Sequence, residues 1–303
     1  MSRKVKFMSE KENFLALPSE HSHPDTAKVI ILPVPFEKTS TFGKGSKRGP
    51  EAIINASHEV ELYDTVLGFE PFQTCGGIAT LTPLKIKGCS GEKLAKALET
   101  EVNYWLEQGK FVITIGGEHS SIVGAVYAYT EKYKPLTIIQ LDAHSDLRSS
   151  YLNEKWNHAC AMSRILDRHD GKLIQIGIRS EAPEEPAIVE TLGKRVSTLY
   201  AHTIHKEGEK IFAKILSELS EYVYITFDCD AFDPSIIPST GTPEPGGLSW
   251  EWVNYFFEIL SRNKKIVGFD VSELSPIPNL HHPQFTIAKM IYRLIGYTFS
   301  QAK

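Results

Sequence analysis

Cysteine is scarce: the 303 residues include only Cys75, Cys89, Cys160 and Cys229, and none of them forms a CxxC pair. This excludes a disulfide scaffold and fits a reducing compartment. Nowhere do about 18 uninterrupted apolar residues occur, so no membrane span is expected. The segment before Lys28 lacks the continuous apolar stretch of a secretory signal. A soluble, cytoplasmic protein is therefore expected. Positive charge is not in surplus either, since 33 Lys and Arg face 37 Asp and Glu for a formal net charge of −4. No general field exists to hold nucleic acid or anionic lipid, and neither is expected as a partner. Internal repeats, low-complexity tracts and convincing linkers are also missing. The chain reads as one domain over 1–303, with residues 1–26 a polar, partly mobile extension.

What is present is an ordinary globular composition, 42% apolar and 23% charged. Short apolar runs at Val29–Val34, Phe111–Ile115, Leu136–Leu141, Leu173–Ile178, Val223–Phe227 and Ile266–Phe269 are rich in Ile and Val and lack strict polar alternation. Such runs suit strands buried on both faces of a parallel sheet. Between them, apolar residues recur at helical spacing in Gly91–Gln108, Ser120–Lys132, Lys206–Ser220, Ser249–Ser261 and Phe285–Tyr297. Pro50 suits the first turn of a further helix over about 50–56. These features make an α/β fold.

Functional groups of open α/β sheets collect beyond the carboxyl ends of strands. Four runs end in polar clusters: Gly116-Gly117-Glu118-His119-Ser120, Asp142-Ala143-His144-Ser145-Asp146, Asp228-Cys229-Asp230-Ala231-Phe232-Asp233-Pro234 and Asp270-Val271-Ser272-Glu273. In an extended strand end, Asp142, His144 and Asp146 project to one side, and Asp228 and Asp230 do the same from another strand. Four carboxylates on one face repel unless protons or cations intervene. With His119 and His144 they make a hard, mixed nitrogen and oxygen donor set with enough ligands for two ions, suited to Mn²⁺ or similar ions. Asp233, before a proline, reads as a turn former, and Cys229 as a small core residue facing away from the ligands.

These segments, together with STFGKGSKRGPEAI, Ser239-Thr240-Gly241-Thr242-Pro243-Glu244-Pro245-Gly246-Gly247 and FDVSELSP, resemble those of the ureohydrolase family, which contains arginase, agmatinase and related guanidino-group hydrolases. The resemblance spans most of the chain and is strongest to agmatinases. It implies a three-layer α/β/α arginase-like fold around a mainly parallel sheet of roughly eight strands. It implies two Mn²⁺ ions per subunit, His119 and Asp146 ligating one, His144 and Asp230 the other, with Asp142 and Asp228 bridging. It also implies attack on the guanidino carbon by a metal-bridging hydroxide. Asp146 then helps deliver a proton to the leaving nitrogen, His158 shuttles protons, and Glu273 grips the substrate guanidinium. A homo-oligomer, trimer or hexamer, is implied as well. One position departs: the family usually carries Asp where this chain has Glu118, which implies retuning around His119 without loss of metal.

A small cationic guanidino compound is the expected substrate. The loop LRSSYLNEKWNHAC lacks the Ser-x-Asn run with which arginases contact an α-carboxylate, so agmatine is preferred, giving putrescine and urea. Arginine, aminopropylagmatine and guanidinobutyrate stand as alternatives. A metallophosphoesterase also uses Asp-x-His, but its Gly-Asn-His partner segments are missing here. A non-catalytic metal-dependent binding protein is disfavoured by the presence of every ligand and shuttle residue.

Overall fold

The computed structural model describes residues 5–86 and 88–300. Eight strands pair side by side: β1 Val29–Val34, β2 Ile78–Thr80, β3 Phe111–Gly116, β4 Leu136–Leu141, β5 Lys172–Ile178, β6 Val196–Tyr200, β7 Tyr222–Asp228 and β8 Lys265–Ser272. Every pairing is parallel, in the order β2-β1-β3-β8-β7-β4-β5-β6. Side chains alternate between two buried clusters. Ile31, Ile113, Ile139 and Ile225 face one layer of helices (Gly49–Ser57, Ile211–Glu218, Trp250–Asn263, His282–Ser300), and Ile30, Val112, Ile138 and Tyr224 face the other (Glu92–Glu107, Val123–Lys132, Ala161–Leu166). Apolar burial on both faces explains why the inner strands carry near-continuous aliphatic runs.

The two strands that apolar runs did not reveal, β2 and β6, lie at the edges of the sheet. β2 has three residues, and β6 (Val-Ser-Thr-Leu-Tyr) is only half covered, so neither needs an uninterrupted apolar sequence. The expected helix over Lys206–Ser220 is instead two, Ala201–Glu207 and Ile211–Glu218, because Gly208 takes φ +58° between them. The last helix, expected from Phe285, starts at His282, with Pro283 in its first turn. Within residues 1–26, expected as a partly mobile extension, Phe14 and Leu17 are buried, and the Phe14 and Leu15 amides donate to Thr80 Oγ1 and Ser57 Oγ. Residues 1–4 of that extension lie outside the described residues.

The consequence for function is positional. The four strands that end in polar clusters, β3, β8, β7 and β4, are adjacent at the centre of the sheet. Their carboxyl ends therefore open onto one shared crevice.

Candidate metal centre and catalytic pocket

Each strand end is shaped by its own local bonds. After β3 the chain passes so close to the β1 exit that a Cβ on Gly117 would sit 2.0 Å from the Phe36 carbonyl oxygen, and only glycine fits. A single 3-10 turn, His119–Ile122, then carries the His119 side chain back over the sheet. Beyond β4, Asp142 accepts the His144 amide at 2.7 Å and the Gln140 side-chain amide at 2.8 Å. Strand alternation does not explain the rest. Asp146 sits at φ +54°, a left-handed conformation uncommon for aspartate, and Asp230 lies in the turn Cys229–Ala231, where its amide donates to Asp228 Oδ1 at 2.9 Å. Asp142 and Asp228 stand at strand ends, whereas Asp146 and Asp230 are brought in by turns.

The result is two linked donor groups, His119 with Asp142 and Asp146, and His144 with Asp142 and Asp230; within each group the ligand atoms lie within 4.8 Å of one another. His119 Nδ1 is 3.1 Å from Asp142 Oδ2 and 3.0 Å from Asp146 Oδ2, and His144 Nδ1 is 2.9 Å from Asp230 Oδ2 and 3.7 Å from Asp142 Oδ1. Asp142 belongs to both groups. Asp228 Oδ2 stands 3.5 Å from His119 Nδ1, beside the first group.

The donor set fits divalent cations on two counts. First, His119 Nδ1 is buried and makes no hydrogen bond of proper geometry, although two carboxylate oxygens lie about it. Its other nitrogen, Nε2, is 3.0 Å from Thr226 Oγ1; that hydroxyl donates to Asp270 Oδ1 at 2.9 Å, and Tyr224 donates to Asp270 Oδ2 at 2.8 Å. Thr226 has spent its proton, so it accepts one from Nε2 and turns the Nδ1 lone pair toward the acids. A cation satisfies that lone pair and the surrounding oxygens together. Second, the acids cannot all ionise unaided. Burial, then the charges of Asp230, Asp142 and Glu273, pushes Asp228 well above the usual carboxylate range, and burial with the Asp142 charge pushes Asp146 up to about 7. Burial acts to lower the His119 and His144 rings, yet their aspartates outweigh it, holding His119 well above normal and His144 at about 12. Protons are held where metal charge would otherwise balance the acids.

A cavity of about 260 Å³ opens over this centre, walled by donor residues together with His158 and Glu273. The Glu273 carboxyl, buried and close to Glu118, is pushed well above its ordinary value, and it takes φ +64° at the end of β8. His158 is lowered by burial, with the nearby His144 and His119 adding to the effect against the Glu118 charge. Its ring meets Tyr151 edge-on at 6.2 Å, and the Arg148 guanidinium lies over Tyr151 at 4.5 Å. Asp233 ties a turn together as anticipated, accepting from the Ser235 hydroxyl and from the Ser235, Gly246 and Gly247 amides, which hold its pKa at about 2. Cys229 is fully buried in the apolar core.

Sequence reasoning placed Asp270 in a polar strand-end cluster but gave it no role, although a buried acid needs partners. It missed Thr226 and Thr39, which had no signal.

Residues 27–296 match the arginase family. The chain belongs to that family. It is accordingly a hydrolase acting on guanidino carbon–nitrogen bonds, in a family whose enzymes depend on a dinuclear metal centre. It is 36% identical over 297 residues to N(1)-aminopropylagmatine ureohydrolase of Synechocystis sp., covering 96% of this chain and 95% of that one. To agmatinase of Pyrococcus horikoshii it is 32% identical over 279 residues, covering 89% and 92%. The crystal structure of agmatine ureohydrolase of Thermoplasma volcanium superposes with a TM-score of 0.80 at 30% identity, covering 98% of this chain and 95% of that one. No helix among the described residues of this arginase-family chain is long and apolar enough to cross a membrane.

Proposed function

We propose that the protein is a dinuclear-manganese ureohydrolase that cleaves a guanidino amine lacking an α-carboxylate: N(1)-aminopropylagmatine, with agmatine as the second reading. The observation that carries the reaction is the sharing of Asp142 between two histidine-containing donor groups on the floor of the Glu273 cavity. The aminopropyl substrate is supported by relatives of that name at 36% identity, and agmatine by relatives at 31–32%. Glu181 adds physical support. It lines the cavity over the donor groups and also a second one with Arg179, Tyr200, His202 and His205, so a carboxylate is shared by the two cavities and is available to a longer cationic tail.

Manganese suits a site of imidazole and carboxylate donors without thiolates. His119, Asp142, Asp146, His144, Asp228 and Asp230 would hold two such ions, which would supply an activated water nucleophile and neutralise the acids. The remaining work falls to the chain. Glu273 offers two oxygens to the planar guanidinium fork and fixes its carbon over the donor groups. His158, kept neutral by burial, is suited to take up and return a proton at the cavity wall. Asp146, with its pKa raised, is placed to pass a proton to the leaving nitrogen. Water adds to the guanidino carbon, the bond to the alkyl nitrogen breaks, and the products are urea and the amine. Four unpaired cysteines fit a cytoplasmic setting.

Urea release after Mn²⁺ loading, measured with N(1)-aminopropylagmatine, agmatine, arginine, guanidinobutyrate and guanidine, tests this reading. The highest kcat/KM is expected for the aminopropyl compound. Turnover of arginine alone would overturn the substrate assignment, and silence on the whole panel would overturn the reaction.

A further inference from the structure

The Glu118 side chain, where the resembled family has aspartate, is fully buried and its acceptor sites are filled. Oε2 takes the Lys38 and Thr39 amides, each at 2.6 Å; Oε1 takes the Ser120 hydroxyl at 2.6 Å and the Thr39 hydroxyl at 2.8 Å. Thr39 Oγ1 also lies 3.0 Å from His158 Nδ1 and accepts the His158 amide at 3.0 Å. A hydroxyl has one proton and two lone pairs. Thr39 spends its proton on Glu118 Oε1, beside the oxygen that already takes two backbone amides. One lone pair of Thr39 receives the His158 amide and the other must receive a proton from Nδ1. His158 is then protonated on Nδ1, and Nε2, on the other side of the ring, is left bare for the cavity that His158 lines.

The geometry points to Thr39 as the positioning residue that, through Glu118, fixes the tautomer and orientation of His158 for proton transfer; this rests on the proposed role of His158. Two other features support it. The Thr39 loop is anchored to Glu118 by two amides as well as by the hydroxyl, so the backbone that carries the hydroxyl is fixed beside His158. Furthermore, Thr39 and His158 are 119 positions apart and come from opposite sides of the crevice, and their hydrogen bonds connect the two walls. Glutamate, one methylene longer than aspartate, supplies the reach to the Lys38 and Thr39 amides.

The test is a double-mutant cycle on the manganese-loaded enzyme. Thr39→Val removes the hydroxyl at nearly constant volume, and Thr39→Ser keeps it. Thr39→Val is expected to lower kcat about 10- to 100-fold with KM changed less than about threefold and metal content unchanged, and Thr39→Ser to recover kcat to within about threefold of wild type. In a His158→Ala background Thr39→Val should add nothing. Wild-type kcat in Thr39→Val, equal impairment in Thr39→Ser, or multiplicative losses with His158→Ala would each overturn the assignment. A second readout does not need turnover: ¹⁵N histidine spectra of the protein holding a diamagnetic divalent ion in place of manganese. The His158 resonances, identified by their loss in His158→Ala, should show the wild-type proton on Nδ1 and a shift toward Nε2 in Thr39→Val. A wild-type proton on Nε2 overturns the relay, even if Thr39→Val does not fold. A wild type that releases no urea defeats the proposed function, and the spectra then decide the relay alone.

Discussion

Glu273 Oε1 accepts the backbone amide of His119 at 2.7 Å, across 154 positions of chain. In the same junction the Glu273 amide donates to the Gly117 carbonyl at 2.7 Å. The acid proposed to hold the guanidinium is thus tied by its carboxylate to the amide of a proposed metal ligand and by its own amide to the carbonyl of Gly117, two residues before that ligand, so substrate and metal positions are set by one junction just beyond β3 and β8.

Glu273→Gln preserves an acceptor for the His119 amide but removes the charge that meets a guanidinium. A charge-assisted pair contributes roughly 1.5–3 kcal/mol, so kcat/KM is expected to drop about 10- to 100-fold. Manganese content measured on the purified variant should stay at the wild-type level. Loss of metal along with activity would place Glu273 in the metal centre.

Asp142 is shared by both donor groups, and no other aspartate is. Asp142→Asn should therefore weaken both ions and abolish urea production, whereas Asp230→Asn disturbs one group directly. Metal content by elemental analysis checks this ordering. Full activity in Asp142→Asn contradicts the shared role.

His158→Ala should impair turnover far more than metal content, with kcat reduced by about 100-fold or more, the usual range for a lost proton-transfer group. Steady-state urea assays alongside metal analysis separate the two quantities. An unchanged kcat sets aside the proton-transfer role.

Stability and metal binding should respond to pH in opposite senses. His144, lifted by Asp230 and Asp142 from 6.5 to about 12 against the effect of burial, and Asp146, lifted by burial from 3.8 to about 7, each hold a proton in the folded chain over a window where the unfolded chain does not. The metal-free fold therefore loses stability as pH rises through those windows. Divalent ions replace these protons, so their affinity rises with pH. The gap in melting temperature between manganese-loaded and chelator-treated protein is expected to widen from about pH 6 to about pH 8. Scanning fluorimetry measures it, and a narrowing gap contradicts the assignment of these residues to the metals.

Glu181 offers a test of substrate length. Glu181→Gln retains an acceptor for the Ser145 hydroxyl but cancels the charge between the two cavities. KM for N(1)-aminopropylagmatine should rise about 3- to 10-fold while KM for agmatine changes little, a rim charge being worth about 1 kcal/mol. Equal effects on both substrates would separate Glu181 from recognition of the tail.

The sequence by itself determined the donor set and the general placement of the candidate centre. His119, Asp142, His144, Asp228 and Asp230 each follow an aliphatic run, and a strand buried on both faces must be aliphatic to be stable, so strand and ligand are legible together. Hard donors without thiolates define the class of ion for the same local reason. What only the tertiary structure decided was adjacency. Strand order placed β3, β8, β7 and β4 side by side, turns and not strand alternation brought Asp146 and Asp230 inward, and edge strands as short or half covered as β2 and β6 left no aliphatic signature. The contacts of Thr39 with His158 and of Thr226 with His119 join residues more than a hundred positions apart. A hydroxyl is compatible with almost any local backbone, and its partner is chosen only when packing of the whole sheet brings a second polar group within about 3 Å.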